Sequence, residues 1–463
     1  MSTADNVAER AKTDFQKTLA RLIEYLRYPA ISCEPDRAPD VRKLAERIRD
    51  DLSALGMSES RLLELDGALP CVAAERVTSP DKPTVLIYGH LDLQPITVAN
   101  WDTPPHEAQV IDGRLYARGS ADDMGGWVSH FAAMQAWLDE TGELPVNVRL
   151  LIESEEEIGS PNLERFMDAY PEAFAADVMV LTDCENPSTE VPGLTVSLRG
   201  LMEIQLTCES MAADVHSGLW GNAVPDPIIA LMQLVASLVD DKGRLDVGRV
   251  PVPEAWAKAS HEVPLTSHVV RDGARLVDGV EPLPARGKST AEWIWRQPAV
   301  TVLSTDFPRQ GQEKNAVRAS ASARLSVRVA PGQTAEELFA LIEERLLTDP
   351  PGGAKITLEF LGGGGSWLYE PKGPAFAAAD RAYEKAWGKP LLQIGVGGSI
   401  PFVAMFGRRF SDLPLILNGV MDPKTGAHGP NESMHIGVFE KTILANVHLY
   451  SELGALEELS PSD

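Results

Sequence analysis

Glu153-Ser154-Glu155-Glu156-Glu157-Ile158-Gly159-Ser160 places four carboxylates within five positions and then stops on a glycine. Just ahead of it, Val146-Asn147-Val148-Arg149-Leu150-Leu151-Ile152 is rich in β-branched and aliphatic residues and predicts a buried strand. The acids are therefore delivered at a strand end. Like charges this close repel, and an apolar setting raises their pKa values unless cations sit nearby. Alone, such a run reads more readily as a solvated acidic turn. It is not alone. Gly89-His90-Leu91-Asp92 also ends a strand, Asp122-Asp123 follows Arg118-Gly119-Ser120, Asp183 ends a third strand, and His428 lies in Gly426-Ala427-His428-Gly429. Hard carboxylate oxygens and imidazoles, each set at a strand end or loop, are the donor set of a divalent metal pair.

Around this stretch the chain alternates. An amphipathic helix reaches residue 28, with Phe15, Leu19, Leu22, Ile23 and Leu26 on one face, and a second covers 41–55 with Gly56 as its cap. Strands are predicted at 62–65, 71–74, 84–88 and 178–181, with helices at 125–138 and 163–169 between them. This is the pattern of an α/β fold, a largely parallel mixed sheet flanked by helices. Ligands of such sheets sit beyond the carboxyl ends of the strands, where His90, Glu156 and Asp183 fall.

Near Arg199-Gly200 the character changes. A strand at 201–207, a loop at His216-Ser217-Gly218, a helix at 227–238, an irregular polar stretch over 240–292, a strand at 321–329, a helix at 335–347 and a strand at 356–360 describe a smaller α+β unit. Gly362-Gly363-Gly364-Gly365-Ser366 lacks the Lys-Ser/Thr of a phosphate loop and reads as a flexible connection. From residue 374 the first pattern resumes. The expected organisation is one domain formed by residues 1–198 and 374–463, with residues 199–373 inserted into it.

A chain of 463 residues exceeds one ordinary core, in agreement with two domains. Its net charge of −25, from 42 basic and 67 acidic residues, disfavours nucleic acid and anionic membrane as partners. No apolar run reaches membrane-spanning length. The start, Met1-Ser2-Thr3-Ala4-Asp5, reads as no secretory signal, and Cys33, Cys71, Cys184 and Cys208 are scattered without CxxC spacing. A reducing, cytoplasmic setting is expected. Cys184, beside Asp183, reads as a small core residue rather than a soft ligand. His90 and Asp92, two apart on a strand, share a face, so Asp92 can hold the ring nitrogen that a metal leaves free.

These motifs together resemble the co-catalytic dinuclear metallopeptidases that include carnosine dipeptidases, glutamate carboxypeptidases, aminoacylases and succinyl-diaminopimelate desuccinylases. The resemblance runs through Tyr88–Pro95 (YGHLDLQP), Asp112–Asp123 (DGRLYARGSADD), Glu155–Ser160 (EEEIGS), the Asp183 strand end, His216–Asn222 (HSGLWGN), Gly397–Pro401 (GGSIP) and Gly426–Glu432 (GAHGPNE). Trp101-Asp102, the HSG-x-x-G spacing and GGSIP bring the carnosine-dipeptidase-like branch nearest. It implies two divalent ions per subunit, zinc first, with manganese or cobalt as alternatives. Asp122 would bridge them, His90 and Asp183 completing one site, Glu157 and His428 the other. It further implies Glu156 as general base, Asp92 as its orienting acid, and His216 as an oxyanion donor reaching across a homodimer from the inserted lid. Arg328, Asn315, Gly398 and Ser399 would contact substrate.

The function so implied is hydrolysis of dipeptides or similar small peptide amides by a hydroxide held between the metals. Alternatives are an N-acyl amino-acid deacylase or carboxypeptidase, the reverse amide-forming reaction, or a catalytically inactive binding homologue. Two positions depart from the family pattern. Met124 stands where a lysine is common, and Gly363 where many dipeptidases carry a histidine. His106, His130 and His435 read as structural.

Overall fold

The computed structural model describes residues 2–398, 401–410 and 413–457. Its central sheet has six strands in the order Glu59–Leu63, Cys71–Arg76, Asn147–Glu153, Thr84–His90, Val178–Leu181, Leu415–Leu417. The last four run parallel, and Cys71–Arg76 pairs antiparallel with both of its neighbours. The period of two along each strand sorts its side chains into two cores. Val85, Ile87, Val148, Leu150, Val180 and Ile416 pack under the helices Thr3–Thr13, Phe15–Tyr25, Ala38–Leu55, Met124–Thr141, Pro374–Trp387 and Ile436–Gly454. Leu86, Tyr88, Leu151, Met179, Leu181 and Leu417 face Leu163, Phe166, Phe174 and Phe406 on the opposite side.

The parallel strands end together, with His90 and Glu153 directly paired in register. The helix Met124–Thr141 starts hard against that edge. A Cβ on Gly126 would stand 2.0 Å from Asp123 Oδ1, and one on Gly89 2.5 Å from Asp123 Oδ2. Only glycine permits this approach.

The second unit is an antiparallel sheet in the order Ala299–Thr305, Ser320–Val329, Gly200–Glu209, Lys355–Gly364. Met202, Ile204, Leu206, Leu325 and Val327 on one face meet Leu231 and Leu338 of the helices Pro227–Ser237 and Ala335–Leu347, a core of their own. The two units join through Gly193–Leu198, which pairs with Trp367–Leu368 and Leu392–Val396.

Local expectations need four corrections. The first helix is two, broken at Asp14. Gly362, Gly363 and Gly364 are not a flexible connection; they extend the last strand and pair with Glu203, Met202 and Leu201. A Cβ on Gly363 would lie 2.6 Å from the Leu201 carbonyl oxygen, so the glycine serves close strand approach. The 240–292 stretch carries short helices, Glu254–Ala259, Ser267–Gly273 and Thr290–Trp295. Val215–His216 bridges to Ala316–Val317, and Ser217–Trp220 forms one helical turn. No helix among the described residues is long and apolar enough to cross a membrane.

Candidate active site

Beyond the strand ends, two groups of potential ligands share one carboxylate. His90, Asp122 and Asp183 form the first and Asp122, Glu157 and His428 the second, with the donor atoms of each group within 4.8 Å of one another. His90 Nε2 lies 3.2 Å from Asp122 Oδ1 and 4.0 Å from Asp183 Oδ2. His428 Nε2 lies 3.1 Å from Asp122 Oδ2 and 3.2 Å from Glu157 Oε2. The two oxygens of Asp122 thus face two different imidazoles.

Each ligand has a local cause. His90 ends its strand, and Asp183 follows two residues after the strand Val178–Leu181. Trp127 Nε1 donates to the His90 carbonyl at 2.9 Å, and His90 Nδ1 faces the Asp92 carbonyl at 3.1 Å and its carboxylate at 3.5 Å. Asp92 Oδ1 and Oδ2 accept the backbone N–H groups of Glu156 and Glu157 at 3.2 and 3.0 Å. The acidic run leaves its strand at Glu153 and ends in a single 3-10 turn, Glu156–Ile158, closed by Gly159 with φ +85°. Its four acids divide their tasks. Glu153 pairs with Tyr88 Oη and Ser160 under the sheet edge, and Glu155 accepts from the Leu69 amide and Asn162. Glu157 joins a ligand group, and Glu156 is in neither.

The electrostatics are those of buried, crowded carboxylates. Burial, then the charge of Asp122, pushes Glu157 up to about 8 and Asp183 up to about 7. Glu156 is also driven well up, by burial first, with His90 opposing and Asp183 adding to the shift. Burial pushes Asp122 upward too, but hydrogen bonds from His428 and His90 hold it below its ordinary value. The hydrogen bond to Asp122 raises His428 to about 9. Imidazole and carboxylate donors arranged in two triads about a shared oxygen pair fit two divalent cations.

The remaining expected residues lie elsewhere in the chain's second unit and at its joint. His216 is exposed, and its Nδ1 accepts the Gly218 N–H at 3.0 Å, which leaves the neutral ring's proton on Nε2. Asn315 is its neighbour, its carbonyl accepting the Ser217 N–H at 3.1 Å. Arg328 is half-buried on the strand Ser320–Val329, and its charge lies near Arg199. Burial first, then Arg328, lowers Arg199 to about 10. Arg199 Nε donates to the Gly397 carbonyl at 2.9 Å, which ties the turn carrying Gly398 to this basic pair. Ser399 lies outside the described residues. Met124 is fully buried at its helix start, a packing position.

Sequence reasoning missed Gln94, whose Nε2 donates to Glu157 Oε2 at 2.7 Å, and Thr182, whose hydroxyl bonds Asp123 at 2.6 Å. Gln94 was visible only as part of the YGHLDLQP motif. His106, His130 and His435 have structural partners in the Leu26 carbonyl, Tyr450 Oη and the Val438 amide.

The chain is 30% identical to a cysteinylglycine-S-conjugate dipeptidase of Corynebacterium striatum, over 96% of its own length and 97% of that protein. It is also 30% identical to a Cys-Gly metallodipeptidase of Saccharomyces cerevisiae, covering 94% and 95% of the two chains. The fold matches the crystal structure of human carnosine dipeptidase 1 with a TM-score of 0.78 and 23% identity, over 98% of this chain and all of that one. Residues 86–452 match the model of peptidase family M20/M25/M40, a span that holds both ligand groups and every candidate residue around them; the chain belongs to that family.

Proposed function

We propose that this metal-dependent peptidase hydrolyses dipeptides with a free C-terminal carboxylate, Glu156 acting as general base between the two ligand groups. The observation that carries the reading is Asp122, shared by both groups while Glu156 stands beside them and in neither. Two divalent cations, of which zinc suits the mixed imidazole and carboxylate donors, with manganese or cobalt as alternatives, would supply Lewis acidity and a water acidic near neutral pH. His90, Asp122, Asp183, Glu157 and His428 would hold them.

The chain's own groups do the rest. Glu156 takes a proton from the attacking water and returns it to the leaving amine. Asp92 fixes the turn on which Glu156 stands. His216, with its Nε2 proton, serves as donor to the developing oxyanion. Arg328 binds the substrate carboxylate, supported by the positive field it shares with Arg199, while Asn315, Gly398 and Ser399 line the same region.

The inserted unit, with boundaries at residues 199 and 373, acts as lid and as the contact of a homodimer. Leu219, Trp220, Ile229 and Met232 are exposed on it and supply apolar surface for that contact. Four free cysteines suit a reducing, cytoplasmic setting. The test is a panel of free dipeptides and N-acyl amino acids offered to metal-reconstituted protein. Faster turnover of the dipeptides is expected; preference for the N-acyl compounds would replace this reading with a deacylase.

A further inference from the structure

Glu432 lies four residues beyond His428, with its carboxylate wholly buried. One oxygen accepts the backbone N–H groups of Ala121 and Asp122 at 3.2 and 3.3 Å. The other accepts the Gly119 N–H at 3.1 Å and pairs with Arg118 Nη1 at 2.7 Å. Arg118 turns Nη2 to the carbonyl of Gly429, the residue after His428, at 3.2 Å. Its guanidinium lies over the Trp101 ring at 5.4 Å. The adjoining Asp102 and Asn431 exchange two hydrogen bonds of 2.8 Å. One buried pair therefore grips both the turn that presents Asp122 and the loop that presents His428.

His428 needs such a grip. Its side chain is 59% exposed, so packing does not hold it, and its backbone has φ +62°, a region that residues with a Cβ enter reluctantly. His90, by contrast, ends a strand, and Asp183 is buried deeper, two residues beyond another. A buried ion pair is a costly way to fill space, and apolar side chains would pack as well. What apolar side chains cannot do is accept three N–H groups of the 119–122 turn and donate to the next ligand's loop.

We propose that Arg118 and Glu432 are positioning residues that set Asp122 against His428, and thereby the affinity of the ion held by Asp122, Glu157 and His428. This rests on the dinuclear reading above. Each exchanges hydrogen bonds with backbone that bears a ligand; loss of a partner bonded to a ligand side chain typically costs about 10–100-fold in metal affinity, and a loss of that order is expected here through the backbone.

The test titrates metal-free wild type, Glu432→Gln and Arg118→Lys with Co2+ by calorimetry, with the visible spectrum recorded at each step. Two equivalents are expected in the wild type. In both variants one equivalent should weaken about 10–100-fold, with an altered cobalt spectrum and a lower kcat at unchanged KM, and excess metal should recover part of the rate. Unchanged affinities and spectrum in both variants would overturn the proposal. So would loss of cooperative thermal unfolding in both metal-free variants, because the pair would then be an ordinary stability element. Fewer than two equivalents in the wild type would instead bring down the dinuclear reading, and this proposal with it.

Discussion

The Asp92 carboxylate accepts the backbone N–H of Glu157 at 3.0 Å, so the residue two beyond one ligand fixes the frame of another. Its second oxygen takes the Glu156 N–H at 3.2 Å. Base and ligand are thus set by a single side chain. Asp92→Asn would leave one of the two N–H groups facing an NH2. We expect kcat to fall about 10–100-fold with weaker metal binding, read by steady-state kinetics and metal analysis. Unaltered kinetics would remove Asp92 from the positioning role.

Glu156→Gln should lower kcat by roughly 10²–10⁴ while leaving both ions bound, because Glu156 belongs to neither ligand group. Glu157→Gln should instead lose metal. Equal metal loss in the two variants, measured on dialysed protein, would contradict the separate roles.

Arg328→Ala should raise KM for dipeptides with a free C-terminal carboxylate far more than for their amides. A charge-assisted hydrogen bond contributes about 1.5–3 kcal/mol, or roughly 10- to 150-fold. The same loss on acid and amide would move Arg328 out of the substrate site.

Metal and proton compete for the same oxygens. Glu157 moves from 4.5 to about 8, and Asp183 from 3.8 to about 7. Folded, these groups hold protons more tightly than unfolded. The stability they lend the metal-free protein is complete below the lower values and lost as pH rises through 7–8. The gap in Tm between metal-loaded and metal-free protein should therefore widen from about pH 5 to about pH 9, by calorimetry across buffers. A gap that narrows over this range would contradict the assignment.

His216 and Glu156 can be tested against each other across subunits. Mixing His216→Ala with Glu156→Gln protomers should restore activity if each His216 serves the partner's site, because one pairing then carries both intact groups. A mixture as inactive as its parents, after verified subunit exchange, would confine His216 to its own chain or to no catalytic part.

Much of this was legible in the sequence, and the reasons are local. The strand ends of His90 and Asp183 announce themselves by apolar runs that stop at polar residues, and the acidic run by its density. What escaped was whatever depends on distance in space. Glu155 looks like its two neighbours, yet it bonds the Leu69 amide, a partner no spacing could name. Glu432 was one letter of a motif until the fold brought it to Asp122. The 362–364 glycines read as slack because composition alone cannot tell a loose loop from strands pressed together, which the Leu201 carbonyl decides.

The parallel sheet is completed only by Leu415–Leu417, and the helix Ile436–Gly454 packs against Met124–Thr141 from the far end of the chain. During synthesis, a growing polypeptide that has left the ribosome as far as residue 400 already carries His90, Asp122, Glu157 and Asp183. It lacks the outer strand, the closing helix, His428 and Glu432. The group of Asp122, Glu157 and His428 therefore cannot close until the chain beyond residue 428 has been made, so the ligand set is finished well after most of the residues that form it.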